Sequence, residues 1–374
     1  MEERAIDLST QEPITKLLVK KFKLSRIACF LILIGIYGLL SFLIAVFEGN
    51  FIPGKKGLSV SYVEDYSTFL DFLILNPLVV ILIQKYLSKF SRVFHELNGK
   101  GIINVQTDGI RKEISTIKKY FGTPIPVLLS MLISILAMTF HTLNISRYDG
   151  YFIFHGENFM SITGIYVIVL TTLYVYFLIY SLQQVFFLIR LKRKVFSQNV
   201  KVELLHEDRC GGLKKVGDLC MTLNYALFLL AITLLLFLLA DLNIFNDIFS
   251  FRVLFVMPIY LIGATFLFFY PLIPIHKKME KERAIHLTVI GKGFDKIFDE
   301  YKNDTDLTQS RSHIENMKDL QEIFSWMEKI PKWPIDTKTY SKFMATILVP
   351  LIVFIFQILT NIENISTGIE ILLE

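Results

Sequence analysis

Hydrophobic residues along this chain gather into seven long blocks that carry almost no charge, separated by polar and basic segments. A transmembrane helix needs about 20 consecutive apolar residues to cross a hydrocarbon core of about 30 Å. The pattern therefore predicts an all-α fold, a polytopic membrane protein with about seven transmembrane helices. The predicted spans are Arg26–Phe47, Tyr66–Tyr86, Pro124–Asn144, Ser161–Ile189, Cys220–Ala240, Phe251–Ile275 and Tyr340–Thr360.

Basic residues occur almost entirely in every second segment between these blocks. Residues 1–26, 85–123, 190–219 and 276–342 together carry 35 Lys and Arg, whereas the other segments carry 4. Cytoplasmic loops of membrane proteins are enriched in Lys and Arg. We therefore expect a multi-pass protein of the cell (cytoplasmic) membrane, with its N-terminus in the cytoplasm and its C-terminus outside.

The segments predicted to be cytoplasmic carry apolar residues at helical spacing, which predicts helical hairpins. One hairpin is predicted at 87–122, and a glycine-containing turn at 205–218 precedes the fifth span. The predicted organisation is a cytoplasmic N-terminal segment 1–25, a six-helix transmembrane region 26–275, a cytoplasmic helical hairpin 276–339, a seventh transmembrane helix 340–360 and an external tail 361–374. Prolines 258, 271, 274 and 350 are predicted as candidate hinges, because proline breaks helical hydrogen bonding.

Composition narrows the class of protein. The 374 residues are 53% hydrophobic, with a mean hydropathy of +0.51 and a net charge of +5. Since this hydrophobicity is concentrated in the blocks, a soluble enzyme, a secreted disulfide scaffold and a disordered chain are excluded. The three cysteines, Cys29, Cys210 and Cys220, form neither a disulfide framework nor a CxxC metal motif. No nucleophile, metal-protease, phosphate-loop or dinucleotide motif is present, so we expect no enzyme activity, cofactor or metal.

Polar residues inside the spans are the candidates for an ion or substrate path. Span three has a polar stripe, and span four has another, flanked by Gln183; their residues are Ser130, Ser134 and His141, and Thr172, Tyr176, Tyr180 and Gln184. Stripes of this kind either line a hydrated path or join packed helices. Asp71 in span two is either a cation-attracting residue at an external vestibule or a helix-start carboxylate at interfacial water.

The segment before span five contains a candidate anion site. Gly211 and Gly212 allow a tight turn, and consecutive amides leading into a helix N-terminus attract anions, with Lys214 and Lys215 beside them. This predicts binding of a lipid phosphate or of an anionic cytoplasmic ligand. The alternative is a structural turn whose lysines contact anionic headgroups.

The same turn resembles a short motif of known proteins. His206-Glu207-Asp208-Arg209-Cys210-Gly211-Gly212-Leu213, followed by Gly217, resembles the HxDxxGGL…G motif of uncharacterised prokaryotic multi-pass membrane proteins, which usually have proline at the position of Glu207. Trp333-Pro334-Ile335-Asp336 resembles a WPFD-type turn of the same group, with Ile335 in place of the aromatic residue. The likeness covers about 25 residues and implies no catalytic role.

These patterns favour an oligomeric channel or pore for small ions, controlled by its cytoplasmic helical part. One alternative is a secondary transporter of a small solute, with the tyrosines and glutamines of span four as binding groups. Another is a non-conducting sensor or scaffold that recruits a cytoplasmic partner. The expected partners are the lipid bilayer and further copies of this chain; no nucleic-acid binding is expected, because the basic runs adjoin span ends.

Overall fold

The protein is described by a computed structural model over residues 28, 32, 35–49, 51, 74–104, 108–145, 162–198, 200–203, 206–244, 250–303 and 307–360. These residues are helical almost throughout. They contain no β-strand, and β-type pairing within them is confined to an antiparallel bridge between Ile103 and Val200. The predicted all-α class is confirmed.

The helices follow the predicted blocks, with some ends displaced. A π-helical turn, Gly35–Leu40, leads into α1. The remaining helices are α1 (Ser41–Glu48), α2 (Asn76–Gly99), α3 (Asp108–Phe121), α4 (Ile125–Ile145), α5 (Ile162–Gln198), α6 (Lys214–Ile244), α7 (Ser250–Phe269), α8 (Ile273–Asn303), α9 (Leu307–Lys329) and α10 (Thr337–Thr360).

Three of these helices are long and apolar enough to cross a membrane: Ile168–Ser197 in α5, Lys214–Thr233 in α6 and Thr337–Phe356 in α10. Two bent helix pairs raise the number to as many as five, if each pair is one span. The described residues therefore belong to a helical protein with three to five candidate membrane-spanning helices. The seven spans and their sidedness stay a prediction.

Helix α6 lies at the centre of the bundle and packs against α2, α7 and α10. Helix α5 packs against α4 and also contacts α2, α3 and α8. Leu213, Val216 and Leu219, which precede or begin α6, are completely buried. Because α6 is enclosed on several sides, its polar residues Thr222, Asn224 and Thr233 are buried.

A proline-containing break interrupts the span predicted over Phe251–Ile275, at two of the prolines predicted as candidate hinges. Helix α7 ends at Phe269, α8 begins at Ile273, and the two axes differ by 48°. Pro271 lies within this break and Pro274 is the second residue of α8, and neither can donate a backbone hydrogen bond. By contrast, α10 continues through Pro350, and the Tyr260 hydroxyl donates at 2.9 Å to the carbonyl of Thr346, which Pro350 leaves without its helical donor.

The two regions predicted as hairpins differ in their packing. Helices α8 and α9 pack along each other, and the Arg283 guanidinium donates to the carbonyls of Met327 at 3.0 Å and Glu328 at 2.6 Å. In the first region, α2 ends at Gly99 and α3 packs against α4 and α5, while α2 packs against α5 and α6. In the predicted hairpin 87–122, α2 and α3 therefore pack mainly against other helices and less against each other.

Candidate functional site

The turn before α6 is organised by one carboxylate, that of Asp208. Its Oδ1 accepts hydrogen bonds from the backbone amides of Cys210 and Gly212, each at 2.9 Å, and its Oδ2 accepts from the amide of Lys214 at 3.0 Å. Burial alone would raise the pKa of Asp208, but the three donated amides outweigh burial, so the pKa lies below its ordinary value. The turn therefore contains a fixed negative charge.

Backbone geometry explains the paired glycines. Gly211 and Gly212 have φ values of 70° and 80°, in the left-handed region that favours glycine. A Cβ on Gly211 would lie 2.8 Å from Cγ1 of Val202, and one on Gly212 would lie 3.1 Å from Cδ1 of Ile102. Both glycines are required by conformation and by close packing against residues 102 and 202.

Three of the four residues predicted to bind an external anion contact carboxylates of this chain. The amides of Gly212 and Lys214 donate to Asp208, the Lys214 ammonium lies 2.7 Å from Oδ2 of Asp336, and Lys215 pairs with Glu96. With these donors engaged, the geometry favours the structural alternative, a tight turn, over an anion site.

The glycine turn and the Trp333–Asp336 turn, far apart in sequence, meet in space. Asp336 caps α10 by accepting from the Thr339 amide at 2.8 Å while it pairs with Lys214. The hydrogen bond from Lys214, followed by that from Thr339, lowers the pKa of Asp336. Gly217 packs so closely on this turn that an added Cβ would lie 2.5 Å from the Pro334 carbonyl oxygen. We call this contact region, formed by residues 206–218 and 333–339, the turn–turn latch.

The cysteine within the latch, Cys210, has surroundings that disfavour thiol chemistry. Cys210 is completely buried. Burial, followed by the charges of Asp208 and Asp336, raises the pKa of its thiol to about 12. Since the thiolate is the reactive form, neither metal binding nor nucleophilic chemistry is favoured here.

Trp333 joins the latch to the start of α8. Its indole stacks on the His276 imidazole, with ring centroids 4.1 Å apart and planes 5° apart, and contacts the Phe269 ring edge-on. Nδ1 of His276 lies 2.8 Å from the carbonyl oxygen of Lys332. The α8–α9 hairpin is thereby fixed to the latch at both of its ends.

The predicted polar stripe of α4 contacts α5 at Ser130, whose partner is Gln183, the residue that flanks the predicted stripe of α5. The Gln183 amide donates to the Ser130 hydroxyl at 2.8 Å and accepts from the Tyr120 hydroxyl at 2.8 Å. Ser134 and Thr172 donate to backbone carbonyls of their own helices. Tyr176, Tyr180 and Gln184 are buried.

The contact between Ser130 and Gln183 is an interhelical packing contact, in line with the second of the two interpretations of the stripes. The role of the other stripe residues stays a prediction. Asp71 lies outside the described residues, and so does the side chain of His141.

The basic run at the end of α5 is divided between two faces. Arg190 and Lys194 both pair with the buried Glu113 of α3, at 2.8 Å and 3.0 Å. Lys192, between them in sequence, points elsewhere and is only 1% exposed. Sequence reasoning missed both Glu113 and Lys192, treating the basic run only as a determinant of topology.

Lys192 lies where α2, α5 and α6 meet, which we call the three-helix junction. Its ammonium donates to the Cys220 sulfur at 3.0 Å. Lys89 of α2 donates to the carbonyl of Asp218 and to the hydroxyl of Thr222, both at 3.2 Å. Burial lowers the pKa of Lys89, Asp218 opposes the change, and Lys85 adds to it by repulsion.

Tyr86 and Asn224 are among the groups of the bundle that have a buried hydrogen-bonding atom without a partner in the described part of the chain. The Tyr86 side chain is 0% exposed, and its hydroxyl has no hydrogen-bond partner among the described residues. In α6, Asn224 donates to the hydroxyl of Thr346, but its Oδ1 likewise has no partner in the described part of the chain. Buried polar atoms in proteins are nearly always paired, so these two require an explanation.

Across the described ranges, no group of three or more His, Cys, Asp or Glu side chains is placed to bind a metal ion. Comparison with protein-family models, with curated proteins and with solved structures gives no match. The class of protein therefore follows from the fold: a helical protein with candidate membrane spans, whose interior contains a polar three-helix junction.

Proposed function

We propose that this chain is a multi-pass membrane protein that conducts small ions as a homo-oligomer, along a path that passes the three-helix junction. The supporting observation is the incomplete pairing of buried polar groups there. Lys192 has only a thiol as its partner among the described residues, and the Tyr86 hydroxyl has none. In the predicted topology the junction lies where the basic segments adjoin the spans, so it would form the cytoplasmic end of the path. Ionisable groups that face the interior of a membrane protein are costly, and they commonly mark an ion path.

The stripes of α4 and α5 support conduction less well than the junction does. At Ser130 and Gln183 the polar atoms are matched with one another. A helix interface whose polar groups are already satisfied has little to offer a passing ion, whereas unsatisfied groups can bind one. We therefore place the path beside α6.

The latch supplies a route for control from the α8–α9 hairpin. The hairpin joins α10 through Trp333 and Asp336, and Asp336 pairs with Lys214 at the first residue of α6. Movement of the hairpin would thus act on the helix that carries Cys220 and Asn224. In this proposal the hairpins and the basic segments lie in the cytoplasm, and seven spans cross the membrane, as the charge pattern predicts.

The experiment is ion flux from liposomes that contain the purified full-length protein. We expect release of chloride, iodide or potassium above that of protein-free vesicles, and a reduction by Lys192→Met. Lys201→Met is the matched control, since the Lys201 side chain is 70% exposed and lies outside the junction. Vesicles as tight as protein-free ones for all of these ions would overturn the proposal.

A second candidate function, a membrane scaffold, is favoured by the surface of the α8–α9 hairpin. Val289 and Trp326 are 63% and 58% exposed, although both helices are rich in charge. Capture of a soluble protein that depends on residues 277–330, together with silent flux assays, would favour this function over conduction.

A further inference from the structure

We propose that the three-helix junction binds a small inorganic anion of the halide class, with Lys192 as its charged partner and Tyr86 as its hydroxyl donor. This inference rests on the proposed function for its site and names the class of ion. It differs from the anion site predicted at the glycine turn, where the donors are bound to carboxylates of this chain.

The first argument is the charge of Lys192. An ammonium group has three N–H donors and no acceptor. Only one of these donors has a described partner, the Cys220 sulfur at 3.0 Å, and sulfur is a weak acceptor. Because a buried cation without a counter-charge is strongly unfavourable, a site of this kind attracts an anion.

The second argument is independent of the lysine. The Tyr86 hydroxyl is completely buried and has no hydrogen-bond partner in the described part of the chain. It belongs to the same buried cluster as Cys220, the residue to which Lys192 donates. A donor with no acceptor, in the buried cluster that also contains the partner of an uncompensated cation, fits an anion bound by both.

The charged side chains near the junction and the burial of the site determine the charge and the size of the ligand that it favours. Lys89 and Lys85 add positive charge on α2, and among the described residues neither they nor Lys192 form an ion pair with a carboxylate. The carboxylate of Asp218, which raises the pKa of Lys89, accepts a hydrogen bond from the Thr339 hydroxyl at 3.3 Å. The positive surroundings disfavour a metal cation, and burial of both Lys192 and Tyr86 favours a monatomic anion over a lipid phosphate.

Chloride binding is measured from the NMR linewidth of chloride in the presence of the full-length protein in detergent. The buffer contains sodium gluconate, and chloride replaces gluconate stepwise while the sodium concentration is held constant. We expect saturable broadening that bromide reduces by competition. Lys192→Met should abolish the saturable part, and Lys201→Met should leave it unchanged. Equal broadening in wild type and Lys192→Met, or none in the wild type, would overturn the proposal.

Tyr86→Phe is a second test that distinguishes loss of chloride binding from loss of folding. It removes only an oxygen that has no described partner, so in gluconate we expect its melting temperature to equal or exceed that of the wild type. With chloride, the wild type should gain stability, and the variant should gain less because its Kd is roughly tenfold higher. An equal chloride-dependent gain in both proteins would refute a role for Tyr86.

Binding and flux separate this inference from the proposed function. Chloride binding in detergent together with tight liposomes would leave the anion site standing and remove conduction. Ion release without chloride binding, unaffected by Lys192→Met, would remove the anion site and leave conduction standing.

Discussion

The contact of Gly217 with the Trp333–Asp336 turn allows a substitution whose effect follows directly from geometry. A Cβ at Gly217 would lie 2.5 Å from the Pro334 carbonyl oxygen and 2.6 Å from Cγ2 of Ile335. Ordinary contact begins at 3.4 Å, so Gly217→Ala requires a separation of about 0.9 Å between α6 and a backbone atom. Because backbone cannot rotate away as a side chain can, we expect the upper end of the overpacking range, about 3 kcal/mol of unfolding free energy.

The assay is thermal unfolding of the purified full-length protein in detergent, for Gly217→Ala beside Gly291→Ala. Gly291 lies within α8, and no heavy atom would come within 4 Å of its added Cβ. Alanine there should be neutral or stabilising by up to about 1 kcal/mol, because it favours the helix more than glycine does. Gly217→Ala should melt several degrees below the wild type. If Gly217→Ala has the same melting temperature as the wild type, the close approach of α6 and the Pro334 turn does not exist.

Three further substitutions test other contacts. Asp208→Ala leaves three backbone amides without an acceptor, and at about 1–3 kcal/mol for each we expect a loss of at least about 3 kcal/mol in chemical unfolding; a change below 1 kcal/mol would contradict this role. Gln183→Leu removes the partner of Ser130, and we expect it to lower the unfolding free energy by about 1–3 kcal/mol. Ser134→Ala removes only a hydrogen bond within its own helix, and we expect it to lower the unfolding free energy by less than about 1 kcal/mol. Equal losses would refute the hydrogen bond between Gln183 and Ser130. The hydrogen bond from Lys214 lowers the pKa of Asp336, so this carboxylate stabilises the fold above its ordinary pKa of about 4, and the gain is lost as pH falls through the lowered value. Asp336→Asn keeps a capping oxygen but removes the charge, so its melting temperature should change less between about pH 5 and pH 2; an unchanged slope would contradict the ion pair.

The positions of the helices could be predicted because the signal is local. An apolar block of about 20 residues and the polar segments beside it predict a helix without knowledge of its neighbours. Helix ends were less predictable. Helix α5 continues to Gln198, beyond the end of the span predicted at Ile189, and its basic end contacts Glu113 of α3 and Cys220 of α6. Those contacts are tertiary and leave no trace in local composition.

The role of the glycine turn depends on partners that are distant in sequence. Gly212 and Lys214 carry the local signature of an anion site, and that signature correctly indicates that their amides bind a negative charge. The charge is that of Asp208, a side chain of the same turn, and Lys214 pairs with Asp336 at the start of α10. A pattern of donors cannot show whether the acceptor is a ligand or the chain itself.

The burial of Lys192 is indicated by the helical periodicity of its neighbours. It is four residues after Leu188 and three before Val195, so a helix places it on the same face as these two completely buried side chains. A count of basic residues treats it as equivalent to Arg190 and Lys194, which pair with Glu113. Helical phase, rather than charge, distinguishes the buried lysine from its neighbours.

The central claim, that small ions reach the three-helix junction, is tested most directly by the reactivity of Cys220 in the native full-length protein. On a Cys29→Ala background, the reaction of Cys220 with small charged methanethiosulfonates is compared with that of Cys210, whose burial raises the pKa of its thiol to about 12. We predict that Cys220 is modified in the folded protein, faster by the negative reagent than by the positive one, and more slowly in chloride, while Cys210 is spared. A Cys220 that stays as unreactive as Cys210 until the protein unfolds would contradict the account.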